Sequence, residues 1–154
     1  MIMTILVPGR TREPWLKAGV AEYVKRLKRY CQVELITVQD VSEQRPAEQV
    51  LALEGKALLQ HIRPQHYVVA LDLNGRQVDS PQLALDLNHW FEAGGSHVVF
   101  VIGGACGLHG HVLERAQQRL CLSKLTWTHQ MARLLLLEQC YRAFRIMNNE
   151  PYHK

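Results

Sequence analysis

An uninterrupted apolar run that ends in glycines constrains the fold of this chain more than any other stretch: 98–102, followed by Gly103, Gly104 and Gly107. Five consecutive apolar residues are typical of a parallel strand whose two faces are both covered by helices. Glycines directly after such a strand allow a sharp turn and a close approach of a ligand to the backbone. Ligands of open α/β sheets bind beyond the carboxyl ends of the strands, so this turn is a candidate binding loop. A plain strand-to-helix turn is the alternative.

The rest of the chain alternates between strand-like and helix-like segments. Apolar and β-branched runs predict strands at 2–7, 33–38, 67–72, 98–102 and 119–123, and amphipathic runs predict helices at 14–30, 46–62, 80–93, 108–116 and 129–147. This alternation predicts an α/β fold with a mostly parallel sheet that helices cover on both faces. A length of 154 residues predicts a single domain over 1–154.

Three local features refine this picture. The apolar spacing of the second helix predicts that Val50, Leu53, Ala57 and Leu58 face inward. Residues 73–79 read as a loop, because polar residues and a glycine follow the third strand. Ser80 precedes Pro81 and is therefore expected to cap the third helix.

Composition excludes some classes of protein. The net charge of +4 suits an anionic partner without requiring one. No apolar run is long enough to cross a membrane, and the first seven residues lack the features of a signal peptide. The four cysteines form no C-x-x-C pair, which favours a reducing cytoplasm over a zinc or disulfide framework. His109 and His111 lack nearby carboxylate or thiolate partners, so no metal is expected.

Several motifs accompany the glycine turn. They are Leu71-Asp72-x-x-Gly75, Ser80-Pro81-Gln82-Leu83, Gly103-Gly104-x-x-Gly107-Leu108, Leu122-Ser123-Lys124-Leu125-Thr126, His129, Arg133, Glu138, Tyr141-Arg142-Ala143 and Pro151-Tyr152-His153. With these motifs the chain resembles the SPOUT class of RNA methyltransferases. Within that class it is similar to the RlmH family, which methylates N3 of a pseudouridine in the RNA of the large ribosomal subunit. The match spans essentially the whole chain, with departures at Ala105-Cys106 and at Thr128.

The resemblance implies a C-terminal trefoil knot, an exception to the usual topology rules. It also implies a cytoplasmic homodimer that uses S-adenosyl-L-methionine, with 23S rRNA in the large subunit or the whole ribosome as its partner. This methyl donor carries no phosphates, so three backbone segments are expected to bind it. The expected cofactor-binding residues are Leu71, Asp72, Leu73, Ile102, Gly103, Gly104, Gly107, Leu122, Ser123, Lys124, Leu125, Thr126 and Trp127. A β-branched side chain at Gly104 would fill the ligand's space and resist positive φ.

The acceptor nitrogen must lose its proton before it can attack a methyl group. A base, or a cation that stabilises the resulting anion, would help that step. The expected catalytic residues are His153, Tyr152, Arg142, Glu138 and His129, and none of them is assigned as the sole base. A disordered terminus is the alternative for the tail at 151–154.

Two other functions remain open on residues alone. The basic side chains on the first helix are typical of a solvated surface, but would also suit a non-catalytic RNA- or ribosome-binding module. A dinucleotide-dependent oxidoreductase is disfavoured, because the turn after the first strand lacks the G-x-G-x-x-G pattern.

Overall fold

The computed structural model describes residues 1–153 and contains a five-stranded sheet in the order β2-β1-β4-β3-β5. The strands are β1 (Ile2–Pro8), β2 (Gln32–Val38), β3 (Tyr67–Arg76), β4 (His97–Val101) and β5 (Gln118–Leu120). The helices are α1 (Pro14–Leu27), α2 (Ala47–Leu59), α3 (Ser80–Ala93), α4 (Gly110–Arg115) and α5 (His129–Met147). All four strand pairings are parallel. The predicted α/β fold with a parallel sheet is therefore confirmed, while the trefoil knot stays a prediction.

Helices cover both faces of the sheet. One apolar cluster joins α1, α3 and α5 to residues such as Ile5 and Phe100, and the other joins α2 and α4 to residues such as Leu6 and Val99. Ile5 and Leu6 enter opposite clusters because successive side chains of a strand point to opposite faces. Phe100 is fully buried, as expected for a strand with helices on both sides. No helix within 1–153 has the length and apolar character that a membrane crossing requires.

The third strand is longer than its sequence indicates. β3 continues to Arg76, so residues 73–76 are strand and the predicted loop is confined to the residues after them. A Cβ on Gly75 would lie 2.6 Å from the backbone carbon of Arg119, and Cys121 N donates to Arg76 O at 2.9 Å. Backbone pairing with β5 forms this extension, and such pairing leaves no apolar pattern in the sequence.

Two further local predictions are wrong. Leu53 is 45% exposed, whereas its neighbour Glu54 is only 4% exposed, so the buried stripe of α2 includes a carboxyl group in place of a leucine. Asp79, not Ser80, caps α3, since the Asp79 side chain accepts from Gln82 N at 2.8 Å. Ser80 Oγ instead donates to Gln139 on α5 at 3.0 Å and ties the two helices together.

Candidate functional site

A cleft of about 1210 Å³ opens at the carboxyl ends of β3, β4 and β5. Because these strands are neighbours in the sheet, the segments that follow or end them lie side by side. The expected cofactor residues that line the cleft are Leu71, Asp72, Leu73, Ile102, Gly103, Gly104, Gly107, Leu122, Ser123, Thr126 and Trp127. Lys124 and Leu125 do not line it, and Leu125 is 70% exposed.

The glycine turn folds tightly against itself. Gly107 N donates to Gly104 O at 3.1 Å, and Gly107 has a φ of +83°, which favours glycine. A Cβ on Gly103 would lie 2.5 Å from the carbonyl group of Gly107, closer than van der Waals contact allows. The glycines at 103 and 107 therefore allow a backbone conformation that leaves the floor of the cleft open.

The expectation for Gly104 was wrong in its physical reason. Positive φ occurs at Gly107 and not at Gly104. A Cβ on Gly104 would lie 2.7 Å from Glu54 Oε2, and Glu54 belongs to α2 rather than to the cleft lining. The missing side chain at 104 thus makes room for a buried carboxyl group.

Two walls of the cleft are not predicted by the sequence patterns. The turn between β1 and α1 contributes Arg12 and Glu13, and the segment between β2 and α2 contributes Asp40 and Glu43. Arg12 and Asp40 form an exposed ion pair at 3.0 Å. Asp72 also lines the cleft and pairs with Arg119 at 3.7 Å, so Glu13 and Glu43 are the lining carboxylates without an ion pair within 1–153, and they favour a cationic ligand.

Two residues of α5 hold the β1–α1 turn in place. Arg133 is 3% exposed, and it donates to Pro8 O at 2.9 Å and to Thr11 Oγ1 at 3.2 Å. Gln130 Nε2 donates to Arg10 O at 2.9 Å, and its Oε1 accepts from Arg12 N at 3.1 Å. Burial lowers the pKa of Arg133. The final helix therefore fixes a cleft wall that precedes it by about a hundred residues in the sequence.

His129 is the one expected catalytic residue that lines the cleft. Burial lowers its pKa, and the nearby Arg133 cation lowers it further, so the neutral imidazole is favoured near neutral pH. Thr128 directly before it caps α5, since Thr128 Oγ1 accepts from Met131 N at 3.1 Å. Thr128, although it departs from the family pattern, therefore stabilises the start of the helix.

Three of the other expected catalytic residues, Glu138, Arg142 and Tyr152, lie with Tyr23 and Tyr141 in what we call the tail cluster. Tyr152 OH donates to Glu138 Oε1 at 3.0 Å and lies 3.2 Å from Tyr23 OH. Arg142 donates to the same Glu138 oxygen at 2.5 Å, and its guanidinium carbon lies 4.7 Å from the centre of the Tyr152 ring. Burial, followed by the hydrogen bonds to Tyr23 and Glu138, raises the pKa of Tyr152, so the phenol stays protonated.

Glu150 fixes the tail just before this cluster. Its carboxylate pairs with Arg29 at 2.9 Å and with Arg145 at 2.9 Å, and it accepts a hydrogen bond from Tyr30. Arg145 also donates to Pro151 O at 3.0 Å. The tail through Tyr152 therefore packs on α1 and α5, and His153 after it is exposed. Lys154, the last residue of the predicted tail, lies outside the described residues.

The structure thus brings the expected site residues together in two places. None of the four catalytic candidates Glu138, Arg142, Tyr152 and His153 lines the cleft in the described chain. The cleft holds the backbone segments and His129, while the tail cluster holds the arginine, the phenol and the carboxylate.

Comparisons with known proteins place this architecture among methyltransferases. The family described as "Predicted SPOUT methyltransferase" matches residues 1–153. The protein named "Ribosomal RNA large subunit methyltransferase H" is 44% identical over 161 residues in Clostridium kluyveri and 43% identical over 159 residues in Clostridium tetani. Both matches cover the whole of both chains.

Solved structures show the same fold at low sequence identity. A probable methyltransferase from Bordetella pertussis Tohama I is 18% identical with a TM-score of 0.58, and the match covers 92% of this chain and 95% of that one. A probable methylase family protein from Haemophilus influenzae is 16% identical with a TM-score of 0.52, covering 96% of this chain and 66% of that one.

Proposed function

This chain belongs to the SPOUT methyltransferase family, and from that premise we propose that it transfers a methyl group from S-adenosyl-L-methionine to N3 of a pseudouridine in 23S rRNA. The name shared by its full-length relatives supports ribosomal RNA of the large subunit as the substrate. The observation that carries the proposal is the cleft at the strand ends, which the expected cofactor segments line together. We expect the enzyme to act in the cytoplasm, where ribosomes are found.

Two features of the cleft support the proposed methyl donor. Gly103 and Gly107 leave the backbone accessible where a side chain at 103 would collide with the turn. Glu13 and Glu43, the lining carboxylates without an ion pair within 1–153, favour a ligand with net positive charge, and the donor's sulfonium and ammonium groups outweigh its one carboxylate. Leu71, Leu122 and Trp127 provide apolar surface for adenine. Bound there, the donor supplies an electrophilic methyl group.

We propose that the tail cluster and His153 act on the acceptor base. Glu138 already accepts from Arg142 and Tyr152, and the Tyr152 phenol stays protonated, so neither is a ready proton acceptor. His153 is exposed, and its imidazole is the remaining candidate to accept the N3 proton. Arg142 would stabilise the negative charge that develops on the base. Proton removal and charge stabilisation are thus shared between residues.

A homodimer would explain why the tail cluster and the cleft are separate in one chain. We propose a two-fold dimer in which the tail of one protomer approaches the cleft of its partner. The final helix supports this arrangement, because Leu136 and Leu137 are fully buried while Leu134 and Leu135 keep partial exposure. Trp127, at the rim of the cleft, is 40% exposed and offers apolar surface to a second copy.

The test combines cells and purified protein. Mass spectrometry of rRNA nucleosides from cells that lack this protein should show the loss of one N3-methylpseudouridine, and the purified chain should restore it with labelled methyl donor. Calorimetry should detect binding of S-adenosylmethionine but not of NADH. An unchanged nucleoside map, with RNA binding but no transfer, would instead support a non-catalytic RNA-binding module.

A further inference from the structure

Glu54 on α2 is a buried carboxyl group that touches two walls of the cleft without lining it. It is 4% exposed. Its Oε1 accepts a hydrogen bond from Val41 N at 3.2 Å, and Val41 lies in the segment that carries the cleft residues Asp40 and Glu43. Its Oε2 has no hydrogen-bond partner within 1–153 and lies against Gly104 of the glycine turn.

We propose that Glu54 is a positioning residue for the methyl-donor site, an inference that rests on the proposed function. Its carboxyl group occupies the space that a side chain at Gly104 would need, and it holds Val41 at the same time. The glycine turn and the acidic segment are therefore set relative to each other by one side chain. Neither wall has to be rigid by itself for the cleft to keep its shape.

The neighbouring Gly55 supports this role of α2. A Cβ on Gly55 would lie 2.7 Å from His109 Cβ and 3.6 Å from Val112 Cγ2. Gly55 thus lets the segment after the glycine turn approach α2 closely. Its neighbour Glu54 contacts the turn itself. Glu54 and Gly55 therefore contact the glycine turn and the segment after it, at Gly104 and at His109, and α2 supports both.

The charge of Glu54 is compatible with such close packing. Burial raises its pKa, the hydrogen bond from Val41 opposes that rise, and the carboxylates of Asp40 and Glu43 add to it. The protonated form is therefore favoured more than for an ordinary glutamate. A neutral carboxyl group can be buried against Gly104 at a lower cost than a charge.

The contact with Gly104 can be tested with a double-mutant cycle. Because Gly104 is not in the positive-φ region, alanine is accepted there by the backbone, and its cost comes from the collision with Glu54. Shortening Glu54 to alanine removes the atom that an alanine at 104 would meet. The two substitutions should therefore be non-additive, as expected for residues in direct contact.

Calorimetry with S-adenosylmethionine on the full chain measures the effect. Glu54→Ala and Gly104→Ala should each weaken binding by about ten-fold, since the first removes and the second displaces the side chain that sets the two walls against each other. The double variant should bind clearly better than the product of the two single losses. Glu54→Gln should stay within about three-fold of the parent, because the amide oxygen still accepts from Val41 N.

Two further variants make the result unambiguous. Glu54→Met fills a similar volume without a hydrogen-bond acceptor, so it should weaken binding where Glu54→Gln does not, even if Glu54→Ala fails to fold. Glu48→Gln changes an exposed glutamate on the same helix and should leave binding unchanged.

Each outcome decides between two ideas. A Glu54→Ala or Glu54→Met protein that binds the donor as the parent does would overturn the positioning role alone. Additive losses in the double variant would overturn it as well. A parent protein that does not bind S-adenosylmethionine would overturn the proposed function first, and the positioning role with it.

Discussion

The cleft and the tail cluster are held in place by different kinds of interaction. The cleft is built from backbone at the ends of three parallel strands, and buried groups such as Glu54 and Arg133 fix its walls. The tail cluster is built from side chains on α1, α5 and the terminus. Arg142 and Tyr152 donate to one oxygen of Glu138, and Tyr23 OH lies 3.2 Å from Tyr152 OH. The fold itself fixes the cleft, whereas a small set of polar contacts fixes the tail.

This difference separates two tasks. A pocket of backbone and apolar side chains is suited to binding a neutral or cationic ligand in a fixed place. A cluster of arginine, phenol and carboxylate is suited to controlling charge on a reacting base. Damage to the cleft should therefore reduce cofactor affinity, and damage to the tail should reduce transfer at saturating cofactor.

Removing residues 152–154 should have the largest effect. Methyl transfer to undermethylated ribosomes should fall by a factor on the order of a hundred or more, the scale of losing a positioned acid–base group. Affinity for S-adenosylmethionine should change little, because Tyr152 and His153 do not line the cleft. Single-turnover transfer with saturating labelled cofactor measures the loss, and calorimetry and light scattering check binding and assembly.

The single variant His153→Ala sharpens this test. It should lose less activity than the truncation if Arg142 shares the task of stabilising the base. A truncated enzyme that transfers at the parent rate would show that the tail takes no part in the chemistry.

Gly103→Ala should produce the opposite pattern. The new Cβ would meet the carbonyl group of Gly107, which is backbone and has little freedom to move. Cofactor affinity should fall by about a hundred-fold, near the upper end of the about 1–3 kcal/mol that overpacking costs. Calorimetry measures the loss.

Gly110→Ala is the matched control, since a Cβ at that position meets nothing within 4 Å. It should bind the cofactor as the parent does. Equal affinities for Gly103→Ala and the parent would mean that the tight glycine turn does not shape the ligand site.

The two regions also differ in how far the sequence predicts them. The limits of α5 follow from Thr128 before it and from its apolar spacing, and the prediction of 129–147 agrees with the structure. The strand-end position of the glycine turn follows from the apolar run at 98–102. Glu54 could not be predicted, because helical periodicity favours Leu53 for the core and the reason for burying a carboxyl group lies at Gly104.

Contacts between distant turns explain the remaining misses. Arg12 and Asp40 line the cleft because two turns at the same edge of the sheet meet in space, and no pattern within either turn reveals this. The tail residues were predicted from motifs that resemble a family. Their hydrogen bonds to Glu138 and Tyr23 required the structure.

Glu138→Gln should have a smaller effect than either loss above. The substitution keeps the size of the side chain but removes the negative charge that holds Arg142 and Tyr152. Transfer should fall by about ten-fold, since hydrogen bonds to charged groups contribute about 1.5–3 kcal/mol and the amide keeps part of that. Cofactor affinity should be unchanged.

Glu92→Gln is a matched control for Glu138→Gln. Glu92 accepts a hydrogen bond from Asn88, four residues before it on the exposed surface of α3, at 2.9 Å. Exposed contacts of this kind contribute little, so transfer should match that of the parent. Equal losses in the two variants would indicate a general effect of charge and not a role for the tail cluster.

The smallest effect should come from the histidine on the cleft side. Burial lowers the pKa of His129 below its ordinary value of 6.5, so the unfolded chain takes up a proton before the folded chain does as the pH falls. The contribution of His129 to stability is therefore complete above pH 6.5 and is lost as the pH falls through the folded value.

Burial also lowers the pKa values of His66 and His97, and their effect is common to parent and variant. Urea denaturation of the parent and the His129 variant at about pH 7.5 and at about pH 5.5, on either side of the ordinary histidine value, isolates the contribution of His129 to stability. His129→Gln should lose less stability between the two, by less than about 1 kcal/mol, because one pKa unit corresponds to about 1.4 kcal/mol. Equal losses in the two proteins would mean that His129 is not desolvated at the edge of the cleft.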